Sequence, residues 1–80
     1  MRLPRDLTGV ELARRLARLG YTVTRQTGSH MRLTKSNGGD HHVTVPRHDS
    51  LRVGTLAAIF DAVAVYHGLS RDELLERLFG

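Results

Sequence analysis

Between Tyr21 and Pro46 the chain alternates polar and apolar side chains in three short runs, and turn-forming residues separate them. Tyr21-Thr22-Val23-Thr24-Arg25-Gln26 has a period of two and is rich in β-branched residues, which suits a pleated strand. Thr27-Gly28-Ser29 turns it. A second strand is expected from about His30 to Lys35, with Met31 and Leu33 pointing one way and His30, Arg32 and Thr34 the other. Ser36-Asn37-Gly38-Gly39 is a turn signal, because Asn and Gly tolerate positive φ. The third strand, about His41 to Val45, sends Val43 and Val45 inward, and Pro46 ends it by removing a ladder donor. Three such strands form an antiparallel sheet that packs one face and leaves the other wet. The wet face carries His30, Arg32, His42 and Thr44 and is partly cationic.

Helical patterns flank this sheet. Thr8-Gly9-Val10-Glu11 fits a capping box, after which Val10, Ala13, Leu16, Ala17 and Leu19 recur at helical spacing up to a left-handed Gly20. Arg14, Arg15 and Arg18 fall mostly on the opposite side and give this helix a basic exterior. Arg47 to Arg52 reads as a loop. Beyond it Leu56, Ile59, Phe60, Val63 and Tyr66 or His67 trace an apolar stripe ending at Gly68. Ser70-Arg71-Asp72-Glu73 repeats the capping box and starts a short helix, whose Leu74, Leu75, Leu78 and Phe79 can cover the core. The order is α-β-β-β-α-α, an α+β arrangement with the helices on one face of a three-stranded antiparallel sheet.

Eighty residues suit one domain spanning 1–80, and the absence of cysteine excludes a disulfide framework or a thiolate zinc site. The longest mainly apolar run, Leu56 to Tyr66, is too short for a bilayer, and the N-terminus lacks a signal-peptide pattern. A cytoplasmic protein without a membrane segment is expected. Charge is uneven: residues 1–52 carry 10 basic and 4 acidic side chains (+6), and residues 53–80 carry 2 basic and 4 acidic (−2). A cationic portion of this kind suits a polyanion such as nucleic acid, because neutralising phosphates releases counterions. The plainer reading of the arginines is solvated surface.

Five histidines in 80 residues supply the candidate chemistry. His30 follows Gly28-Ser29 on the polar face beside Arg32, where an imidazole titrating near neutrality can move protons at a phosphodiester. Arg47 can hold a phosphate by two parallel hydrogen bonds, and His48 follows it in a loop that could equally be solvated surface. His41 and His42 point to opposite faces and do not readily share a metal, so none is expected. His67 near Gly68 most simply complements a helix C-terminal dipole. Gly28 and Ser29 offer backbone donors for a phosphate. The four aromatics, Tyr21, Tyr66, Phe60 and Phe79, are spaced for core roles more than for base stacking.

Several blocks together resemble the HicA toxins of bacterial HicAB toxin-antitoxin systems, over about residues 8 to 78. They are Gly9-Val10-Glu11-Leu12 with Leu19-Gly20-Tyr21, Gln26-Thr27-Gly28-Ser29-His30, Asn37-Gly38-Gly39, Val43-Thr44-Val45-Pro46-Arg47-His48, and Leu51-Arg52-Val53-Gly54-Thr55-Leu56 with Ile59. The resemblance implies a fold like that of double-stranded-RNA-binding domains and an mRNA interferase activity. It also implies a HicB-like antitoxin covering the active surface, and His30 as the catalytic histidine. Between Ile59 and Gly68 the chain is about four residues longer than the usual pattern, roughly one helical turn.

The expected chemistry is metal-independent and needs no cofactor. His30 takes a proton from a ribose 2′-hydroxyl. Arg32, Arg47 and some of Arg14, Arg15, Arg18 and Arg25 hold the RNA, with Gly28, Ser29 and His48 beside it. A monomer is expected for the free chain. The alternatives are a non-catalytic RNA-binding module of the same fold and, from a further class, a DNA-binding protein, for which no helix-turn-helix pair is evident.

Overall fold

The structure, a computed structural model, describes residues 3–35 and 40–80. Helix α1 (Gly9–Leu16) is closed at its start by the reciprocal Thr8–Glu11 capping box: the Glu11 N–H donates to Thr8 Oγ1 at 3.0 Å and the Thr8 N–H to Glu11 Oε1 at 3.2 Å. The helix does not continue to Gly20. It tightens into a 3₁₀ turn (Ala17–Leu19) that Gly20 ends at φ +94°. Its buried residues are Gly9, Leu12 and Leu16, so the core stripe is rotated from the one that Val10 and Ala13 suggested; both of these are half-buried beside it. Ala17 is exposed.

Strands β1 (Thr22–Thr27), β2 (His30–Lys35) and β3 (His41–Pro46) form one antiparallel sheet in the order β1-β2-β3. Met31, Leu33, Val43 and Val45 are buried and join the helices in the core, while His30, Arg32, His42 and Thr44 are exposed on the opposite face, as the alternation requires. The Asn37-Gly38-Gly39 turn lies outside the described residues.

Strand β1 corrects the sequence reading. Tyr21 precedes it rather than opening it, and its alternation is not continuous: Val23 pairs with Leu33 and Arg25 with Arg32, which leaves Thr24 as an extra residue in a bulge. Strict alternation would set Val23 and Arg25 on one face. The bulge instead leaves Val23 with Leu33 and moves Arg25 to the open face, opposite Arg32. Thr34 is a second correction, since it lies on the polar face and yet is buried. Its hydroxyl is enclosed by Thr24 Oγ1 at 2.7 Å and His42 Nδ1 at 2.9 Å. One consistent set of donors runs from His42 through Thr34 and Thr24 to the Arg32 carbonyl, 3.3 Å from Thr24 Oγ1.

Pro46 remains in the ladder as its last residue, opposite His30. The next ladder bond is made by the Arg47 N–H to the Ser29 carbonyl at 2.5 Å, so the missing proline donor leaves no gap. Helix α2 (Val53–His67) is unbroken and ends at Gly68 with φ +66°. Helix α3 (Arg71–Phe79) starts from the Ser70–Glu73 capping box and buries Leu74, Leu75 and Leu78. Among the described residues no single helix is long and apolar enough to cross a membrane.

Candidate functional site

The tight turn between β1 and β2 places the first candidate. Thr27 and His30 are paired, so Gly28 and Ser29 are the whole loop. Gly28 has φ +57° and Ser29 does not have positive φ, the pattern of a type II′ hairpin with glycine first. A side chain at Gly28 would be strained by that φ. His30 therefore stands on the open face as the first residue after a rigid corner, exposed, with Pro46 directly across.

Arg25 and Arg32 occupy the adjacent row, opposite each other and both exposed. Like charges directly across an antiparallel pair repel, and neither guanidinium has a carboxylate partner among the described residues. A phosphate chain beside them would relieve that repulsion. Sequence alternation did not reveal the pair, because the bulge at Thr24 creates it.

The loop after β3 lies against the same corner and is tied down at three points. The Arg47 N–H donates to the Ser29 carbonyl, the Gly9 N–H to the His48 carbonyl at 3.0 Å, and the Leu51 N–H to the Leu7 carbonyl at 2.9 Å. Gly9 permits this closeness: a Cβ on it would stand 2.0 Å from the Pro46 carbonyl oxygen. Around these bonds Gly28, Ser29, Arg47 and His48 line one open groove of about 630 Å³. Thr8, Val10 and Asp49 complete it, and the sequence marked none of the three as a site residue. The groove is of a size that takes small molecules or single nucleotides.

The basic exterior of α1 is a separate place. Arg14, Arg15 and Arg18 line another groove with Glu11, of about 290 Å³. Arg15 is half-buried there, its guanidinium 5.3 Å from the Phe79 ring centroid and its Nη1 3.5 Å from the Leu78 carbonyl. Arg18 Nη1 donates to the Gly80 carbonyl at 3.2 Å. Two of these three arginines thus already serve the docking of α3.

At the far end of β2 and β3 a second group of rings gathers. The buried Tyr21 hydroxyl meets His41 Nδ1 at 2.5 Å and His67 Nε2 at 3.1 Å. One imidazole accepts the phenolic proton and the other donates its N–H to the same oxygen. His41 stacks on Tyr66, with centroids 4.1 Å apart and planes 8° from parallel. This corrects one expectation, for Tyr66 is an exposed ring stacked on histidine rather than a core residue, while His67 stands in the last turn of α2 beside Gly68 and also meets the Tyr21 phenol. Burial lowers the His67 pKa, with the charges of Lys35, His41 and Arg77 adding to it, and burial followed by the charge of His42 lowers that of His41. Burial, with Tyr66 second, raises the Tyr21 pKa to about 12. Local spacing gives no sign of this group, because its members come from a helix exit, a strand start and a helix end.

No cluster of three or more histidine and carboxylate side chains suited to a metal ion occurs among the described residues. No curated protein and no solved structure matches this chain. A protein-family model described as HicA toxin of bacterial toxin-antitoxin matches residues 9–64, from the first residue of α1 to Ala64 within α2. That span is more than half of the chain and holds the Gly28-Ser29-His30 corner, the Arg25–Arg32 pair and the Arg47–His48 loop, so the chain belongs to the HicA toxin family and stands on the toxin side of a toxin-antitoxin pair.

Proposed function

We propose that this toxin is an endoribonuclease that cleaves mRNA with His30 as general base. The observation that carries the reading is the position of His30: an exposed imidazole at a tight corner, one row from the unpaired Arg25 and Arg32 and next in the chain to Ser29, which lines the Arg47 groove. His30 removes the proton from a ribose 2′-hydroxyl, and the oxygen attacks the adjacent phosphorus. Arg32 and Arg47 stabilise the charge gathering on the phosphoryl oxygens. The P–O5′ bond breaks, leaving a 2′,3′-cyclic phosphate and a 5′-hydroxyl end. DNA lacks the attacking group and survives. Gly28 and Ser29 border the bound strand, His48 lies beside it, and Arg25 tracks its phosphates. Arg14, Arg15 and Arg18 extend the cationic surface along α1.

The whole chain acts as one domain, without cofactor, in the cytoplasm and as a monomer when free of its partner. A HicB-like antitoxin inhibits it by covering the cationic open face, and that association slows as salt rises. The direct test is incubation of purified protein with single-stranded RNA in EDTA, wild type beside His30→Ala, with mapping of the product ends. Cleavage by wild type that leaves a cyclic phosphate, reduced by about 10²-fold or more in the variant, is expected. Binding without cleavage in both would instead identify a non-catalytic RNA-binding module on the same fold, and a 5′-phosphate product with an absolute Mg²⁺ requirement would overturn the mechanism.

A further inference from the structure

A single base leaves the cleavage half provided for, because the departing 5′-oxygen needs a proton. We infer that His48 is the general acid that delivers it, an assignment that rests on the ribonuclease reading above. Two other histidines share the sheet with His30, and the register separates both from it. His42 pairs with Thr34 while His30 pairs with Pro46, which places His42 four residues, about 13 Å, along β3 from the position facing His30. Its Nδ1 is engaged by the Thr34 hydroxyl. His41 lies one residue further and is bonded to Tyr21. His67 shares that phenol.

His48 is different in both respects. It follows Pro46 by two residues, so it leaves the sheet at the His30 end, and it lines the groove that Gly28 and Ser29 border. Its imidazole is exposed and makes no hydrogen bond among the described residues. Its backbone, by contrast, is held: the Gly9 N–H grips its carbonyl, and the preceding Arg47 N–H is bonded to Ser29. The loop is therefore a fixed mount whose imidazole is left unengaged by the protein and open to a substrate. The charged residues lining the groove are its own neighbours Arg47 and Asp49, while α1 and the hairpin bring only Thr8, Val10, Gly28 and Ser29.

The step balances without any further reactant. The 2′-oxygen forms its bond to phosphorus and its proton passes to the His30 imidazole. The P–O5′ bond breaks, and the electron pair on O5′ takes the proton of the His48 imidazolium. His30 ends protonated and His48 neutral, and exchange with water restores both.

The test uses an RNA whose wild-type cleavage site has been mapped, made again with sulfur replacing the bridging 5′-oxygen at that linkage. A thiolate leaves without a proton, so it removes the need for an acid and not the need for a base. His48→Ala should lose about 10²–10⁴-fold on the ordinary RNA and return to within about tenfold of wild type on the sulfur-containing RNA. It should also lose the fall in kcat/KM on the alkaline side of the pH profile. His30→Ala should stay defective on both substrates. Because the Gly9 bond is to the His48 backbone, His48→Ala should melt with wild type, and His48→Gln provides a second variant that keeps side-chain bulk. Full activity of both variants, or an equal loss on the two substrates, would overturn the assignment of His48 while leaving the ribonuclease reading intact. Wild-type protein that cleaves neither RNA, or His30→Ala that cleaves both at wild-type rate, would remove the ribonuclease reading and this assignment with it.

Discussion

Histidines stand at both ends of the β2–β3 ladder, and they are used in opposite ways. At the Pro46 end His30 and His48 are exposed, carry no side-chain hydrogen bond among the described residues and stand near Arg32 and Arg47. At the Lys35 end His41 and His67 are half-buried and share one phenolic oxygen, with Tyr66 stacked on His41. Burial lowers the pKa of both. On the proposed reading, the imidazoles at the first end exchange protons with the RNA. Those at the second are placed to remain neutral and join β3 to α2. The family match runs across both ends, for it contains His30 and His48 as well as Tyr21 and His41, and it stops before Tyr66 and His67. Histidine content therefore says little about chemistry until burial and hydrogen bonding are known.

A crossed pair of variants separates the roles of the two ends most strongly. His30→Ala should cut RNA cleavage by at least about 10²-fold and leave the melting temperature within about 2 °C of wild type, because the side chain is exposed and unbonded. Tyr21→Phe should do the reverse. It removes the hydroxyl that both His41 and His67 use, at a cost of about 1–2 kcal/mol, or roughly a 5–10 °C fall in Tm for a domain of this size. Its cleavage rate below that temperature should match wild type. Loss of cleavage in folded Tyr21→Phe would mean that the two ends are coupled and that the division drawn between them is wrong.

How far sequence reaches in such a chain depends on the range of the interaction. Both capping boxes, Thr8 with Glu11 and Ser70 with Glu73, were legible because each is complete within four residues. The bounds of β2 were legible for a similar reason, since Gly28-Ser29 ahead of it is a two-residue turn. The bulge at Thr24 was not, because it depends on how β1 fits against β2 rather than on β1 alone, and with it went the pairing of Arg25 and Arg32. Leu12 was passed over in favour of Val10 and Ala13, a choice that only packing against the sheet decides. In the candidate site, Gly28, Ser29, Arg47 and His48 could be named singly. That they meet in one groove follows from the Gly9, Arg47 and Leu51 backbone bonds, which join segments some 18 to 44 residues apart in sequence.

The half-buried histidines at the Lys35 end make stability depend on pH. A histidine whose pKa is lower in the folded than in the unfolded chain binds fewer protons when folded throughout the window between the two values, so stability rises with pH there. For His41 and His67 the contribution is fully present above about 6.5, the ordinary histidine value, and is lost as pH falls below it. The free energy of unfolding should therefore fall between about pH 7 and pH 5, with a slope of at most about 1.4 kcal/mol per pH unit for each histidine, and the melting temperature should fall with it. His67→Asn should flatten that dependence and His30→Ala should not. Equal slopes in wild type and His67→Asn would show that burial at this end does not hold the His67 pKa down.

The smallest effect tests the Pro46 end away from the chemistry. Arg25 reaches the open face only because of the Thr24 bulge, and there its charge lies one row from His30, facing Arg32. If a phosphate of the bound strand sits between the two guanidiniums, Arg25→Ala removes one phosphate contact. The plot of log binding constant against log salt for a single-stranded RNA should then flatten by about 0.7, with a few-fold weakening at moderate salt. To keep cleavage from obscuring the measurement, both proteins carry His30→Ala. Removing Arg25 also removes its repulsion with Arg32, so the free variant should be no less stable than its parent. An unchanged salt slope together with raised stability would mean that the arginine pair opposes folding without serving RNA, and that the strand runs instead along the Arg47 groove.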